Sequence, residues 1–383
     1  MPRIPFQKSP YLSQYRGMRP NSYMAHMPFD PICCSAIFPG AEVPQENERL
    51  SKLLMDSHSH LTPSLGEQQA VATLVAKVVE YLESIALEKG HSQIGQIEEI
   101  RVVGSFKEGT MLAGHCLADV VVLLRDSPTF EMARNISLLL KQKFLDKEIE
   151  EPEEPLEIIH QPYGFDLEYL GVCIRVAFAI QNFSAISNTE TGLHISPPDQ
   201  HVAHAAIVHA RWAEERAAHA NVKALIRLLK DLRRRFVGFN HLTPWQVDLL
   251  AFHAVMHNPM NAPLPLSVAF RRVIQVLAAG LFLPGSTGII DPCEPQNRRV
   301  HVSLNLIQQD ELCCAAQTVC KILNLEKFSI LFSNMHPARP ITLAELVEAA
   351  NALPGEKIAL PEPICLESHS TAPDTTTESV VVP

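Results

Sequence analysis

A chain of 383 residues, 46% hydrophobic and 19% charged, is long enough for two domains or one bilobed unit and apolar enough for a large core, which excludes a disordered protein. Its formal net charge of -10 excludes attachment to nucleic acid by bulk charge alone, so any RNA contact must come from a local basic patch or a partner. Nine cysteines, an odd number with no Cys-x-x-Cys pair, point to free thiols in a reducing compartment, and their spacing fits no zinc pattern, so no zinc is expected. No stretch reaches the roughly 18 apolar residues of a membrane span, and no hydrophobic secretory core opens the chain. The expectation is a soluble, intracellular protein with no membrane partner.

Residues 1–27 are rich in Pro, Tyr, Ser and Arg, include Arg16-Gly17-Met18-Arg19, and read as a flexible leader. Glu67 to Glu88 predicts a helix, with Val71, Leu74, Val75, Val78, Val79 and Leu82 on one stripe and Gly90 as its C-terminal cap. Ile97 to Val103 alternates as a half-buried strand, and Gly104-Ser105 turns the chain into an irregular loop. Val120 to Leu124 is an apolar run suited to a strand covered on both faces. A helix over Thr129 to Phe144 and an acidic surface loop over Asp146 to Glu157 follow. Phe165 to Tyr169 and Gly171 to Ala179 read as a strand pair, with no acid from Gly171 to Ser187.

From Asp199 the pattern is helical. Helices are predicted over His201 to Ala218 with Asp199 as N-cap, over Val222 to Phe236 with Asn221 as cap, and from Thr243-Pro244. Pro265 to Leu281 and Gln308 to Leu323 are amphipathic, and Thr342 to Glu345 is a capping box for a last helix. The division is an α/β lobe over 28–198, a helical lobe over 199–353 and a Ser/Thr/Pro tail over 354–383.

Several groups in this layout can carry chemistry. Backbone N–H groups at Gly104 and Ser105 either cradle an anion or make a plain turn. Asp119, at the mouth of the second strand, suits a divalent cation. Lys223, Arg227 and Lys230 share one helix face, which meets either a phosphate chain or solvent. Arg233 to Arg235 form a solvated run or an RNA-backbone contact. Trp212 and Trp245 read as core. Val273, Leu277 and Leu281, with Leu312, Ala316, Val319 and Leu323, form apolar stripes that serve either as core or as a partner interface.

The wording Gly104-Ser105-x-x-x-Gly109-Thr110, continuing to Ala118-Asp119 and Val121-Val122, resembles the signature of the oligoadenylate-synthetase branch of the nucleotidyltransferase fold. It is closer still to the DZF domain. Leu225 to Lys230 resembles the matching helix of the synthetases, and Ile290-Asp291-Pro292-Cys293-Glu294-Pro295 their Asp-Pro-x-x-Pro turn. His209 to Trp212, Arg233 to Phe236, Leu242 to Trp245 and Ala278 to Ser286 resemble the smaller-subunit branch of the interleukin enhancer-binding factors, with a likeness running from about residue 28 to 335. The resemblance implies an α+β, bilobed, nucleotidyltransferase-like fold with a mixed β-sheet N-lobe and a helical C-lobe that dimerises.

Active members carry Asp-x-Asp where this chain has Leu117-Ala118-Asp119, and the nearest match for their third metal carboxylate is Arg175. Two Mg²⁺ ions about 3.5–4 Å apart repel by roughly 17 kcal/mol at an effective dielectric of about 20. One aspartate does not offset that, and an arginine beside it makes it worse. The resemblance therefore implies an inactive member. Gly104, Ser105, Asp119, Lys223, Arg227 and Lys230 would hold ATP or UTP with one Mg²⁺ on Asp119. The protein would pair with a DZF protein that bears double-stranded-RNA-binding or zinc-finger modules. RNA and DNA would be reached mainly through that partner, in transcription and RNA metabolism, in the nucleus, nucleolus and cytoplasm. The alternatives are an active template-independent nucleotidyltransferase and a nucleotide-sensing scaffold.

Overall fold

A computed structural model describes residues 26–34, 44–88, 94–148, 156–182, 193–294, 296–332 and 339–352. The leader with its Arg-Gly segment, Gly90, the centre of the acidic loop, Pro295 and the tail lie outside the described residues. After a single helical turn at Pro31–Cys34, two longer helices precede the sheet. α1 (Glu48–Leu61) was not evident from its polar sequence. Asn47 caps it by accepting from the Leu50 N–H at 2.8 Å, and Leu50, Leu54 and Leu61 are its buried apolar side chains. α2 (Leu65–Leu87) starts two residues before the expected point, because Ser64 and Glu67 form a capping box. The predicted stripe is its buried face, with Val79 at the margin.

β1 (Ile97–Val103) ends at Gly104, whose φ of +71° turns the backbone out of the strand. The expected turn and irregular loop are corrected at this point. Gly104–Glu108 is a short helix, α3, ended by Gly109 in the left-handed region. β2 (Leu117–Leu124) starts three residues earlier than its apolar run, because Leu117 to Asp119 already pair with Cys173 to Arg175. α4 (Phe130–Glu148) leads to β3 (Glu157–Gln161), which the acidic-loop reading overlooked, and then to β4 (Gly164–Tyr169) and β5 (Val172–Ile180).

The five strands lie in the order β1-β2-β5-β4-β3, with β2 and β5 parallel and every other pair antiparallel. Val120, Val122 and Leu124 point into a core shared with α2 and α4. Val121 and Leu123 point to the other face, against Ala203 and Ala210 of the next helix, α5 (Pro197–Arg216). That double cover is why β2 is apolar at every position from Val120 to Leu124.

α5 packs on the sheet, so the lobe boundary expected at residue 199 is corrected to lie after it, and the helical lobe comprises α6 (Ala220–Arg235), α7 (Pro244–Met256), α8 (Leu266–Ala278), α9 (Leu306–Asn324), a single helical turn at Ser329–Phe332 and α10 (Leu343–Asn351). The caps at Thr243 and Thr342 are as expected. Two others are corrected. Ser196, not Asp199, caps α5, since its hydroxyl accepts from the Asp199 N–H at 3.2 Å. His219, not Asn221, caps α6, and the Asn221 amide instead donates to Leu264 O at 3.0 Å.

The apolar stripes are also resolved. Val273, Leu277, Leu281, Leu312, Ala316, Val319 and Leu323 are each 4% exposed or less and belong to one core cluster inside the chain. Their reading as a partner interface is corrected, because α8 and α9 bury these stripes in the chain's own core. No helix among the described residues is long and apolar enough to cross a membrane.

Candidate functional site

Three adjacent strands set a row of charge at one end of the sheet. Asp119 on β2 is in register with Arg175 on β5, and Arg175 with Asp166 on β4. In-register neighbours point to the same face, so the order across the sheet is carboxylate, guanidinium, carboxylate. Arg175 Nη1 donates to Asp119 Oδ1 at 3.2 Å, and its Nε lies 3.8 Å from Asp166 Oδ1. Asp166 is itself held by the Tyr163 hydroxyl at 2.7 Å and by Gln161 Nε2 at 3.1 Å. Tyr163 is pushed up to about 12, first by burial and then by Asp166.

The expected placement of Arg175 beside Asp119 is thus what the strands produce. The acid count was too low, however. Asp166 adds a carboxylate from β4, and Glu108 on α3 adds another that interacts electrostatically with Asp119. Burial raises both Asp119 and Glu108, although Arg175 pulls the first down and Lys230 the second. The Arg175 guanidinium lies between the Asp119 and Asp166 carboxylates in this row.

Gly104 is required where β1 meets α3. A Cβ on it would come within 2.5 Å of Asp119 Oδ2, besides the strain of its positive φ. The basic face of α6 closes the other side. Lys230 Nζ donates to Ser105 Oγ at 2.8 Å and to Thr110 Oγ1 at 2.9 Å. Arg227 donates to Gly109 O at 2.7 Å and Met111 O at 3.0 Å, and its Nη1 meets His58 Nε2 at 3.2 Å. A Cβ on Gly109 would lie 3.3 Å from Lys223 Nζ. The solvent-facing alternative for this helix face is therefore corrected. Lys223, Arg227 and Lys230 converge on the 104–111 segment, so all six expected nucleotide residues line one region.

The arginine run behaves differently from either reading. Arg235 is buried, pairing with Asp231 at 2.6 Å and donating to Leu331 O at 2.6 Å, and so it is part of the core. Arg234 also meets Asp231, at 3.0 Å, and His115 Nε2, at 3.2 Å. His115 is thus an arginine neighbour.

Asp248 on α7, absent from the sequence reading, completes the electrostatics. Burial pushes it up to about 7, against the pull of Lys230. A carboxyl raised in the folded state contributes stability in full only below its unfolded value and loses it as pH rises from there through the folded one. Between pH 6 and pH 8 the wild type should therefore lose roughly 1 kcal/mol relative to Asp248→Asn, read from urea midpoints of both proteins at each pH. Parallel curves for the two would show that Asp248 is already charged at pH 6.

Family models of the DZF N-terminal domain and the DZF C-terminal domain match residues 16–218 and 221–342. Among solved structures the chain is similar to E. coli MS115-1 CdnC in its complex with HORMA-deltaN, with a TM-score of 0.53 and 12% identity over 75% of this chain and 95% of that one. It is similar to the same CdnC with ATP, with a TM-score of 0.52 and 13% identity over 74% and 96% of the two chains. It is also similar to a cytoplasmic RNA terminal U-transferase, with a TM-score of 0.51 and 10% identity over 77% and 100%. At these identities the likeness speaks to fold, and the fold is nucleotidyltransferase-like, bilobed and α+β.

Proposed function

This chain belongs to the DZF family, and on that premise we propose that it is a catalytically inactive nucleotidyltransferase-like subunit that pairs with a second DZF protein carrying double-stranded-RNA-binding or zinc-finger modules. One observation carries the inactivity: Arg175 is ion-paired to Asp119 and lies beside Asp166, where catalysis on this fold needs carboxylates facing metal ions. Its guanidinium is a tethered cation that offsets part of the row's negative charge in place of a metal ion. Incubation with ATP, Mg²⁺ and double-stranded RNA is expected to give no extended or oligomeric product on a denaturing gel. Product that disappears in Asp119→Asn would overturn the reading and favour a working transferase.

The pairing rests on composition and surface. A net charge of -10 argues against nucleic-acid attachment by bulk charge, which favours a partner as the carrier of that affinity. The helical lobe exposes Leu306 and Ile307 at the start of α9 by 68% and 70%, near Val302 at 57%, a patch suited to an apolar partner face. In this reading the subunit is of the smaller interleukin enhancer-binding-factor type and acts in transcription and RNA metabolism, in the nucleus, nucleolus and cytoplasm. Sedimentation of the chain with a DZF partner should give one heterodimeric species, and Leu306→Asp/Ile307→Asp should return two monomers.

Nucleotide binding without transfer is a second reading, supported by the convergence of Lys223, Arg227 and Lys230 on Gly104 and Ser105. ATP or UTP would enter with one Mg²⁺, meeting Asp119 as its protein carboxylate. Such a ligand would brace the two lobes or report nucleotide level to the partner.

A further inference from the structure

We propose that His209, Asp291 and Cys293 form a zinc site that staples the sheet-bearing lobe to the helical lobe. One donor atom from each of the three residues lies within 4.8 Å of the others. A tetrahedral zinc with bonds of about 2.0 Å to nitrogen and about 2.3 Å to sulfur places such donors roughly 3.5 Å apart, so closure needs movements on the order of 1 Å. Nitrogen, carboxylate and thiolate together select a borderline-soft divalent ion over Mg²⁺ or Ca²⁺.

The surroundings hold the donors in place. The His209 ring stacks on Trp245 with centroids 3.7 Å apart and planes within 7°. The Trp245 indole N–H donates to Asp291 Oδ2 at 2.8 Å, and the Cys293 N–H to Asp291 Oδ1 at 2.9 Å. A carboxylate oriented by such donors keeps lone pairs for a metal, the usual arrangement behind a zinc ligand. Asp291 N–H also donates to Arg298 O at 2.8 Å, which fixes the base of the loop. At the rim, Glu294 Oε1 lies 3.8 Å from His201 Nε2.

Position gives the site its consequence. His209 lies on α5, which packs on the sheet, whereas Asp291 and Cys293 lie in the loop between α8 and α9. The donors are thus 82 and 84 residues apart (291 − 209 and 293 − 209), so no local cysteine–histidine spacing announces them. On binding, the Cys293 S–H bond gives way to a zinc–sulfur bond and the proton passes to solvent.

The 383-residue chain, stripped with a chelator and checked for folding by circular dichroism, should take up one zinc per chain in competition with a chromogenic chelator. Cobalt substituted for zinc should show a thiolate-to-metal charge-transfer band. Cys293→Ser should abolish that band and weaken uptake tenfold or more, His209→Gln should weaken it similarly, and Cys320→Ser should change neither. A folded wild-type chain that takes up no stoichiometric zinc overturns the site. So does a cobalt complex without a thiolate band, or uptake removed by Cys320→Ser and retained in Cys293→Ser.

Discussion

Arg272→Met is expected to lower the unfolding free energy by about 3–5 kcal/mol, the cost of removing one partner from a buried ion pair. Arg272 is 0% exposed. Its Nη2 donates to Asp30 Oδ2 at 2.7 Å, and its Nε reaches both carboxylate oxygens at 3.1 Å. Nη1 donates to the carbonyls of His253 and Ala254 at the end of α7. One side chain on α8 therefore fastens the segment before α1 to the helical lobe and satisfies carbonyls at the end of α7. Methionine fills a similar volume but leaves Asp30 charged and without its principal partner in a nearly closed site.

Burial alone would raise Asp30, yet the hydrogen bonds and charge of Arg272 outweigh it and hold the carboxyl below its ordinary value. A depressed carboxyl contributes stability above its unfolded value and loses it as pH falls through the folded one. His253 beside it is pushed down to about 3 by burial and by Arg272, so it contributes stability above about 6.5 and loses it from there downward. Acid should weaken this joint through the histidine first and the aspartate later. Urea denaturation of wild type, Arg272→Met, Asp30→Leu and the double variant measures the coupling. A loss below 1 kcal/mol in Arg272→Met, or strict additivity in the double variant, would mean that the pair does not hold the segment.

Much of this molecule was legible where a local pattern decides the outcome. The apolar run of β2, the stripe of α2 and the Thr-Pro and Thr-x-x-Glu helix starts needed only periodicity and capping chemistry. The charge row was half legible. Leu170 and Gly171 both have positive φ, the tight-hairpin geometry that sets Tyr169 opposite Val172 and hence Asp166 opposite Arg175. Gly171 was the cue, and counting back from it would have found Asp166. Other features lay beyond any local pattern. Asp248 approaches Lys230 only through the packing of α6 against α7, and His209 meets Cys293 only across the lobes. The basic residues at 233–235 look alike in sequence, but helix geometry separates them, so that Arg235 turns inward to Asp231 while Arg234 meets His115 at the edge.

Lys230→Met is expected to weaken ATP binding tenfold or more, the largest functional effect of any single change at the site. Lys230 touches both ends of the 104–111 segment, through Ser105 and Thr110. It also feels the charges of Asp248, Glu108 and Asp119. Burial lowers it, and those carboxylates pull it back toward the charged form. A triphosphate entering over Gly104 would add negative charge to a site already short of compensation. At about 4 Å and an effective dielectric of about 20, one unit charge contributes on the order of 4 kcal/mol before desolvation is subtracted. A tenfold loss needs about 1.4 kcal/mol of that to survive. Lys223, at the far end of the face beside Gly109, should matter less, and Lys223→Met should weaken binding only a few-fold. Titration calorimetry with ATP and Mg²⁺ compares the three proteins, with ATP-free thermal melts to register any loosening of the segment. Equal ATP affinity in wild type and Lys230→Met, with a lower melting temperature in the variant, would assign Lys230 to bracing the loop and remove it from the nucleotide site.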